Sequence, residues 1–217
     1  MLLTVWTDID RYILGLLNGS DSIFLDGVVT TLTSGFSWIP LYVALFYIVI
    51  KNNDTMEQIG LTVGCALLCV LLADGLADGI VKPLVARPRP LNDPFIRHTI
   101  DVVAGTSDRQ FSFFSAHAAN TFSLAVFFSL LFKRKSVTML MVFWSLLNCW
   151  TRLYLGMHYP SDIVVGLLWG GIVGSGVWFA FRQRLKNGCE RRDADLLVTV
   201  VSLTLFLAVV ISYIRLI

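Results

Sequence analysis

The sequence predicts an all-α fold, a polytopic transmembrane helical bundle of about six spans led by an N-terminal amphipathic helix in the membrane interface. Three observations predict it. The 217 residues are 56% hydrophobic and only 15% charged, against about 25% charged in soluble domains, and the mean hydropathy is +0.72. Apolar runs recur at 36–50, 57–81, 116–132, 136–156, 162–181 and 195–217, and a helix needs about 20 such residues to cross a hydrocarbon core. Cations gather at alternate ends of these runs rather than within them.

The elements follow in order. Over 1–19, Leu2, Val5, Trp6, Ile9, Tyr12, Ile13, Leu16 and Leu17 recur at helical spacing beside Asp8, Asp10 and Arg11. That pattern fits a helix lying in the interface better than a span. The same early charges, and the lack of a basic leader, argue against a cleavable signal peptide. Residues 22–34 carry Asp26 and three threonines, and read as a short tilted segment or as part of one long span broken at Gly35. The 57–81 run contains Asp74 and Asp78, one helical turn apart, with Lys82 one turn further; Asp78 is expected to pair with Lys82. The glycines 166, 170, 171, 174 and 176 predict close helix packing. Cys65, Cys69, Cys149 and Cys189 read as small apolar residues. One domain covers 1–217, with 1–35 as an interfacial segment and 83–114 as the single long connection. Its 95–104 stretch, FIRHTIDVVA, is expected to form a lid or short helix, with Arg97 and His98 at the surface.

Orientation follows from charge. Lys51, then Lys133, Arg134 and Lys135, then Arg182, Arg184, Lys186, Arg191 and Arg192 put nine cations in short connections at one set of ends. The positive-inside rule assigns that side to the cytoplasm. The 83–114 and 155–161 connections then face the periplasm or exterior. The outer connection holds cations too: Lys82, Arg87, Arg89, Arg97 and Arg109.

Three outward stretches carry chemistry. Residues 82–90 pack Lys82, Arg87 and Arg89 with Pro83, Pro88 and Pro90, a stiff cationic elbow at the end of a helix. Ser115, Ala116 and His117 open the 116–132 run, where free amides and the helix dipole favour an anion. Thr151, Arg152, His158 and Asp162 lie where one run ends and the next begins. Lys82, Arg89 and Arg152 together match a phosphate dianion, with arginine as a planar fork and lysine as a point charge. His117 and His158 have the chemistry of a general acid and a nucleophile. Asp162, four residues after His158, can fix its tautomer once a helix has begun, and Pro160 suits the first turn of that helix. Taken singly, each has a plainer account: His158 with Asp162 as an ion pair at a helix start, His117 as a helix cap, Arg152 as a snorkelling cation.

Lys82, six residues, Arg89-Pro90; Ser115-Ala116-His117; Thr151-Arg152, five residues, His158, three residues, Asp162: in this order and on one side, the set resembles the three-part signature of the type 2 phosphatidic acid phosphatase superfamily. That superfamily contains membrane lipid phosphatases and vanadium haloperoxidases. The resemblance covers 82–162. It implies that His158 attacks phosphorus to form a phosphohistidine, that Asp162 orients and activates His158, and that His117 protonates the leaving oxygen and then activates water. Lys82, Arg89, Ser115 and Arg152, with the amide of Ala116 or His117, would hold the phosphoryl oxygens. No metal and no cofactor are implied. The second part usually reads Pro-Ser-Gly-His, and here is Phe114-Ser115-Ala116-His117; alanine disfavours positive φ, so an ordinary helical or extended backbone is expected there. The third part usually opens Ser-Arg, and Thr151 keeps the hydroxyl. Arg87 lies outside the motif spacing and is expected to meet solvent or a head group.

The expectation is an integral membrane lipid phosphatase in the bacterial inner membrane, its site facing the periplasm and Phe111, Phe113 and Phe114 lining an acyl entrance. The implied partners are a lipid phosphate and the bilayer, not nucleic acid; no oligomeric state is read from the sequence. Lipid A-type phosphate is the preferred substrate, with undecaprenyl diphosphate and phosphatidylglycerol phosphate as alternatives. A lipid phosphotransferase and a transporter are the rivals of other classes. Inverted repeats, which a transporter would favour, are not evident.

Overall fold

The computed structural model describes residues 2–103 and 111–216, with side chains from Thr7 onward. Arg109, Ala104 and Gln110 lie outside the described residues.

Nine α-helices form the described chain: α1 Leu2–Leu17, α2 Ile23–Thr33, α3 Ile39–Asn52, α4 Met56–Leu76, α5 Lys82–Val85, α6 Ala116–Phe132, α7 Lys135–Tyr154, α8 Pro160–Phe181 and α9 Arg191–Ile214. No strand occurs among the described residues, as an all-α reading requires. Four stretches are long and apolar enough to cross a membrane: Gly35–Asn52, Met56–Val85, Pro160–Phe181 and Arg191–Ile214. The expected count was about six. Ala116–Phe132 is a shorter apolar helix, and α7 carries Asn148, Thr151 and Arg152 in its C-terminal half, which lowers its apolarity.

Residues 22–34 form a separate helix. Ser22 caps α2 by accepting from Leu25 N, and a 3-10 turn, Gly35–Trp38, divides it from α3. Trp38 is buried, and its indole Nε1 donates to Leu32 O at 2.8 Å, closing that corner. α4 runs into a π-helical turn, Ala77–Val81, before Lys82; such turns widen a helix and recur at functional sites.

α6 is the hub, packed most extensively on α8 and then on α7 and α4, while α9 closes the far side against α2 and α3. The contact between α6 and α8 depends on absent side chains. A Cβ on Gly166 would stand 2.7 Å from Ser115 O, and one on Gly170 2.5 Å from Ala119 O; Gly174 faces Ser123 O in the same way. Backbone oxygens cannot retreat, so only glycine permits this approach. Gly176 meets nothing within 4 Å and is not part of the seam.

At one end of the bundle Lys51 Nζ donates to Asp193 Oδ1 at 2.7 Å, and Lys186 Nζ to Asp54 Oδ2 at 2.7 Å. The first pair ties the end of α3 to the start of α9, and the second joins the connections that follow α3 and α8. The three chemistry-bearing stretches lie at the other end.

α1 is amphipathic in an unusual sense. Ile9, Tyr12, Ile13 and Leu16 are exposed, a stripe at helical spacing, while Asp10 and Leu14 are buried. A soluble protein would bury the stripe and expose the acid. The segment from Asp93 to Asp101 is pinned to this helix. Arg11 pairs with Asp93, Nη2 to Oδ2 at 3.0 Å, and Tyr159 donates to the same oxygen at 2.7 Å. Asn18 Nδ2 donates to Tyr154 O at 2.8 Å, and Asp101 N donates to Asn18 Oδ1 at 2.7 Å. Over 95–103 the chain forms turns instead of the expected short helix, with Ile100 and Val103 buried. Those two apolar side chains pull the segment onto the body, which leaves no regular hydrogen-bonded run. Arg97 and His98 are exposed.

Candidate active site

The α6–α8 seam sets the site, because it brings two helix starts together. Ser115 is the N-cap of α6: its Oγ accepts from Ala118 N at 3.3 Å, and its own N donates to Asp162 O at 3.1 Å. Ala116 opens the helix with no positive φ, as alanine requires. Pro160 is the first residue of α8, and Asp162 sits at its N3 position, accepting from Tyr159 N at 3.0 Å through Oδ2. This bond to the N-cap amide holds the Asp162 carboxylate in place. Between α7 and α8 the chain turns at Gly156, φ 61°, and delivers His158 beside Asp162.

A cavity of about 440 Å³ opens there. Lys82, Arg89, Arg152, His117 and His158 line it, with Ala116 at the head of α6. Stretches 27 or more residues apart in sequence, from Arg89 to Ala116 at the nearest, thus share one space. Asp162 is fully buried behind His158. Ser115 is also fully buried and is engaged in capping, so Ala116, His117 and Asn120 form the α6 wall of the cavity.

The cations are held on their own side chains' partners. Lys82 forms an ion pair with Asp78. Arg89, 2% exposed, donates from Nε to Phe111 O at 3.2 Å. Arg152 Nη1 donates to Thr33 Oγ1 at 2.8 Å, tying it to α2. Such positioned donors stabilise an anion at little reorganisation cost.

His158 Nδ1 stands 3.6 Å from Asp162 Oδ2, longer than an ordinary hydrogen bond; catalytic contacts often tighten only once substrate is bound. Burial is the main cause that pushes the His158 imidazole down to about 4. Asp162 opposes the shift, and Arg152 and Arg89 add to it. His158 is therefore neutral at pH 7, with a lone pair available on one ring nitrogen.

Sequence reasoning missed Thr33 and Asn120. Asn120 lines the cavity and donates from Nδ2 to Asp74 Oδ1 at 2.6 Å. Its spacing of three from His117, on one helix face, was the available signal. Arg87 corrects an expectation: it is neither at a head group nor in solvent. Its Nη1 donates to Asp162 Oδ1 at 2.8 Å, because α1 and the start of α8 close over it. Phe114 corrects another. It is 3% exposed and packed with Ala73 and Ala77, and none of Phe111, Phe113 and Phe114 lines the polar cavity. A separate, apolar cavity of about 430 Å³ lies among α3, α4, α6 and α7, and Asn120 lines both.

A family model described as "PAP2 superfamily" matches residues 63–188. The chain belongs to the PAP2 superfamily. A lipid A 4'-phosphatase of Bacteroides thetaiotaomicron is 36% identical over 169 residues, 77% of this chain and 75% of that protein. Another, of Porphyromonas gingivalis, is 32% identical over 173 residues, 79% and 72% of the two chains. The undecaprenyl-diphosphatase BcrC of Bacillus subtilis is 31% identical over 94 residues, 43% and 46%. The crystal structure of Aquifex aeolicus LpxE superposes with a TM-score of 0.60 at 23% identity, covering 77% of this chain and 93% of that one, which shows a shared fold. The chain is thus a PAP2 lipid phosphatase, a membrane protein and a hydrolase.

Proposed function

We propose that this PAP2 protein removes a phosphate from a lipid head group through a phosphohistidine on His158, with the 4′-phosphate of a lipid A-type molecule as preferred substrate. The observation that carries the reading is one cavity lined by Lys82, Arg89, Arg152, His117 and His158. The relatives of longest match support the choice of lipid A.

In this mechanism Lys82, Arg89 and Arg152 hold the phosphoryl oxygens, helped by the amides at the start of α6. Nε2 of neutral His158 attacks phosphorus, with Nδ1–H directed at Asp162. The bond from phosphorus to the lipid oxygen breaks, its electron pair stays on oxygen, and His117 supplies the proton. Neutral His117 then takes a proton from water, whose oxygen attacks phosphorus; the P–N bond breaks and inorganic phosphate leaves. Phosphoryl transfer depends on positioning and charge stabilisation, and the three cations supply the charge a metal would otherwise provide. The apolar cavity beyond Asn120 takes hydrocarbon of the substrate. The site faces the periplasm from the inner membrane, consistent with the nine cations of short connections at the opposite end.

The test is phosphate release by purified protein from lipid A bisphosphate, undecaprenyl diphosphate and phosphatidylglycerol phosphate, with products identified by mass spectrometry, with and without EDTA. Monophosphoryl lipid A and free phosphate are expected, unchanged by EDTA. Preference for undecaprenyl diphosphate would correct the substrate, and a phosphorylated acceptor lipid would indicate a phosphotransferase. No release from any lipid phosphate would overturn the reading in favour of transport.

A further inference from the structure

Arg87 is bound from three sides. Nη1 donates to Asp162 Oδ1 and to Ser161 Oγ, each at 2.8 Å, and Nη2 donates to Asp10 Oδ2 at 2.7 Å. Its guanidinium carbon lies 3.8 Å from the centre of the Tyr159 ring, a stacking arrangement that fixes the fork.

Asp10 comes from α1, outside the 63–188 segment that the family model matches. It is 7% exposed. Its Oδ1 accepts from Ser161 N at 2.9 Å, and Oδ2 also bonds the Ser161 hydroxyl. Ser161 is the second residue of α8, so Asp10 satisfies a free amide at the start of that helix from another element. The next residue is Asp162. A continuous set of contacts therefore runs from α1 to the carboxylate beside His158.

The charges explain why two acids meet one arginine. A guanidinium paired with Asp162 alone would neutralise it and weaken its hold on the imidazole. Shared with Asp10, the same guanidinium leaves one negative charge in the cluster. In a poorly solvated site that difference weighs more than in water.

We propose that α1 is part of the catalytic apparatus, with Asp10 as a positioning residue that acts through Arg87 and Ser161 to hold Asp162 in register with His158. Turnover then depends on α1 being docked. The turnover readout rests on the phosphatase function proposed above.

The experiment compares full-length wild type with Asp10→Asn, Asp10→Glu and Ser161→Ala, and with Asp8→Asn as a control for charge loss on the exposed side of α1 (Asp8 side chain 73% exposed). It measures kcat and KM on a lipid phosphate, and the NMR resonances of the His158 imidazole. D10N should lower kcat about 10-fold or more, the scale of a small misplacement at a reacting centre, with KM within about twofold. D10E should recover part of kcat, D8N should match wild type, and the His158 resonances should move in D10N only among the two Asn variants. If D10N does not fold, S161A, which removes one hydroxyl, carries the comparison in the same direction. Wild-type kcat together with wild-type His158 resonances in the folded variant overturns the proposal. A wild type that releases no phosphate would instead sink the phosphatase reading, and the resonances would still decide the coupling.

Discussion

His158 Nδ1 and Asp162 Oδ2 stand 3.6 Å apart, four residues from each other across the start of α8, both buried. Burial disfavours charge on the imidazole, and in the proposed mechanism the fixed carboxylate would stabilise the charge that develops as a bond to phosphorus forms. This geometry supports the nucleophilic role proposed for His158.

Asp162→Asn should lower kcat by about 10²–10⁴-fold, the range of a lost proton-handling group, with a much smaller change in KM. His158→Ala should abolish turnover. An alkaline denaturing quench with radiolabelled substrate should capture label on wild type and none on His158→Ala. Label retained by His158→Ala would place the nucleophile elsewhere.

His158 should titrate near 4 rather than at its ordinary 6.5, as followed by NMR of histidine-labelled protein without substrate. The folded value is depressed, so the unfolded chain binds more protons between the two values. The stability contribution is complete above 6.5 and is lost as pH falls towards 4. A midpoint at or above 6.5 would contradict the burial described here.

Gly170→Ala should destabilise the fold by about 1–3 kcal/mol, the cost of overpacking a close contact, because the new Cβ meets Ala119 O at 2.5 Å. Gly176→Ala, with nothing within 4 Å, should stay within about 0.5 kcal/mol of wild type. Thermal unfolding in one detergent compares them, and equal losses would mean the α6–α8 seam is looser than its geometry.

Ala66→Trp should fill the apolar cavity among α3, α4, α6 and α7, which Ala66 lines. KM should rise for long-chain lipid phosphates and not for a short-chain phosphate ester. Equal effects on both would remove the cavity from substrate binding.

The sequence by itself determined the membrane-embedded helical class and the spacing of Lys82, Arg89, His117, Arg152, His158 and Asp162 along it. Those features are local: apolar runs, helix-breaking prolines, and residues four apart at a helix start. The pairing of Asp78 with Lys82, one turn apart, was legible for the same reason, and so was the glycine seam, in residues 166, 170 and 174. Only the tertiary structure decided the role of Arg87, whose contact with Asp10 joins residues 77 apart in sequence, and the place of Thr33, 119 residues from Arg152. No period or spacing encodes such contacts, because they depend on how closely packed helices bring remote chain segments together. Charge patterning alone would leave Arg87 and Asp10 in water or at a head group. Packing of α1 over the start of α8 withdraws both from solvent, and buried charges must then find each other.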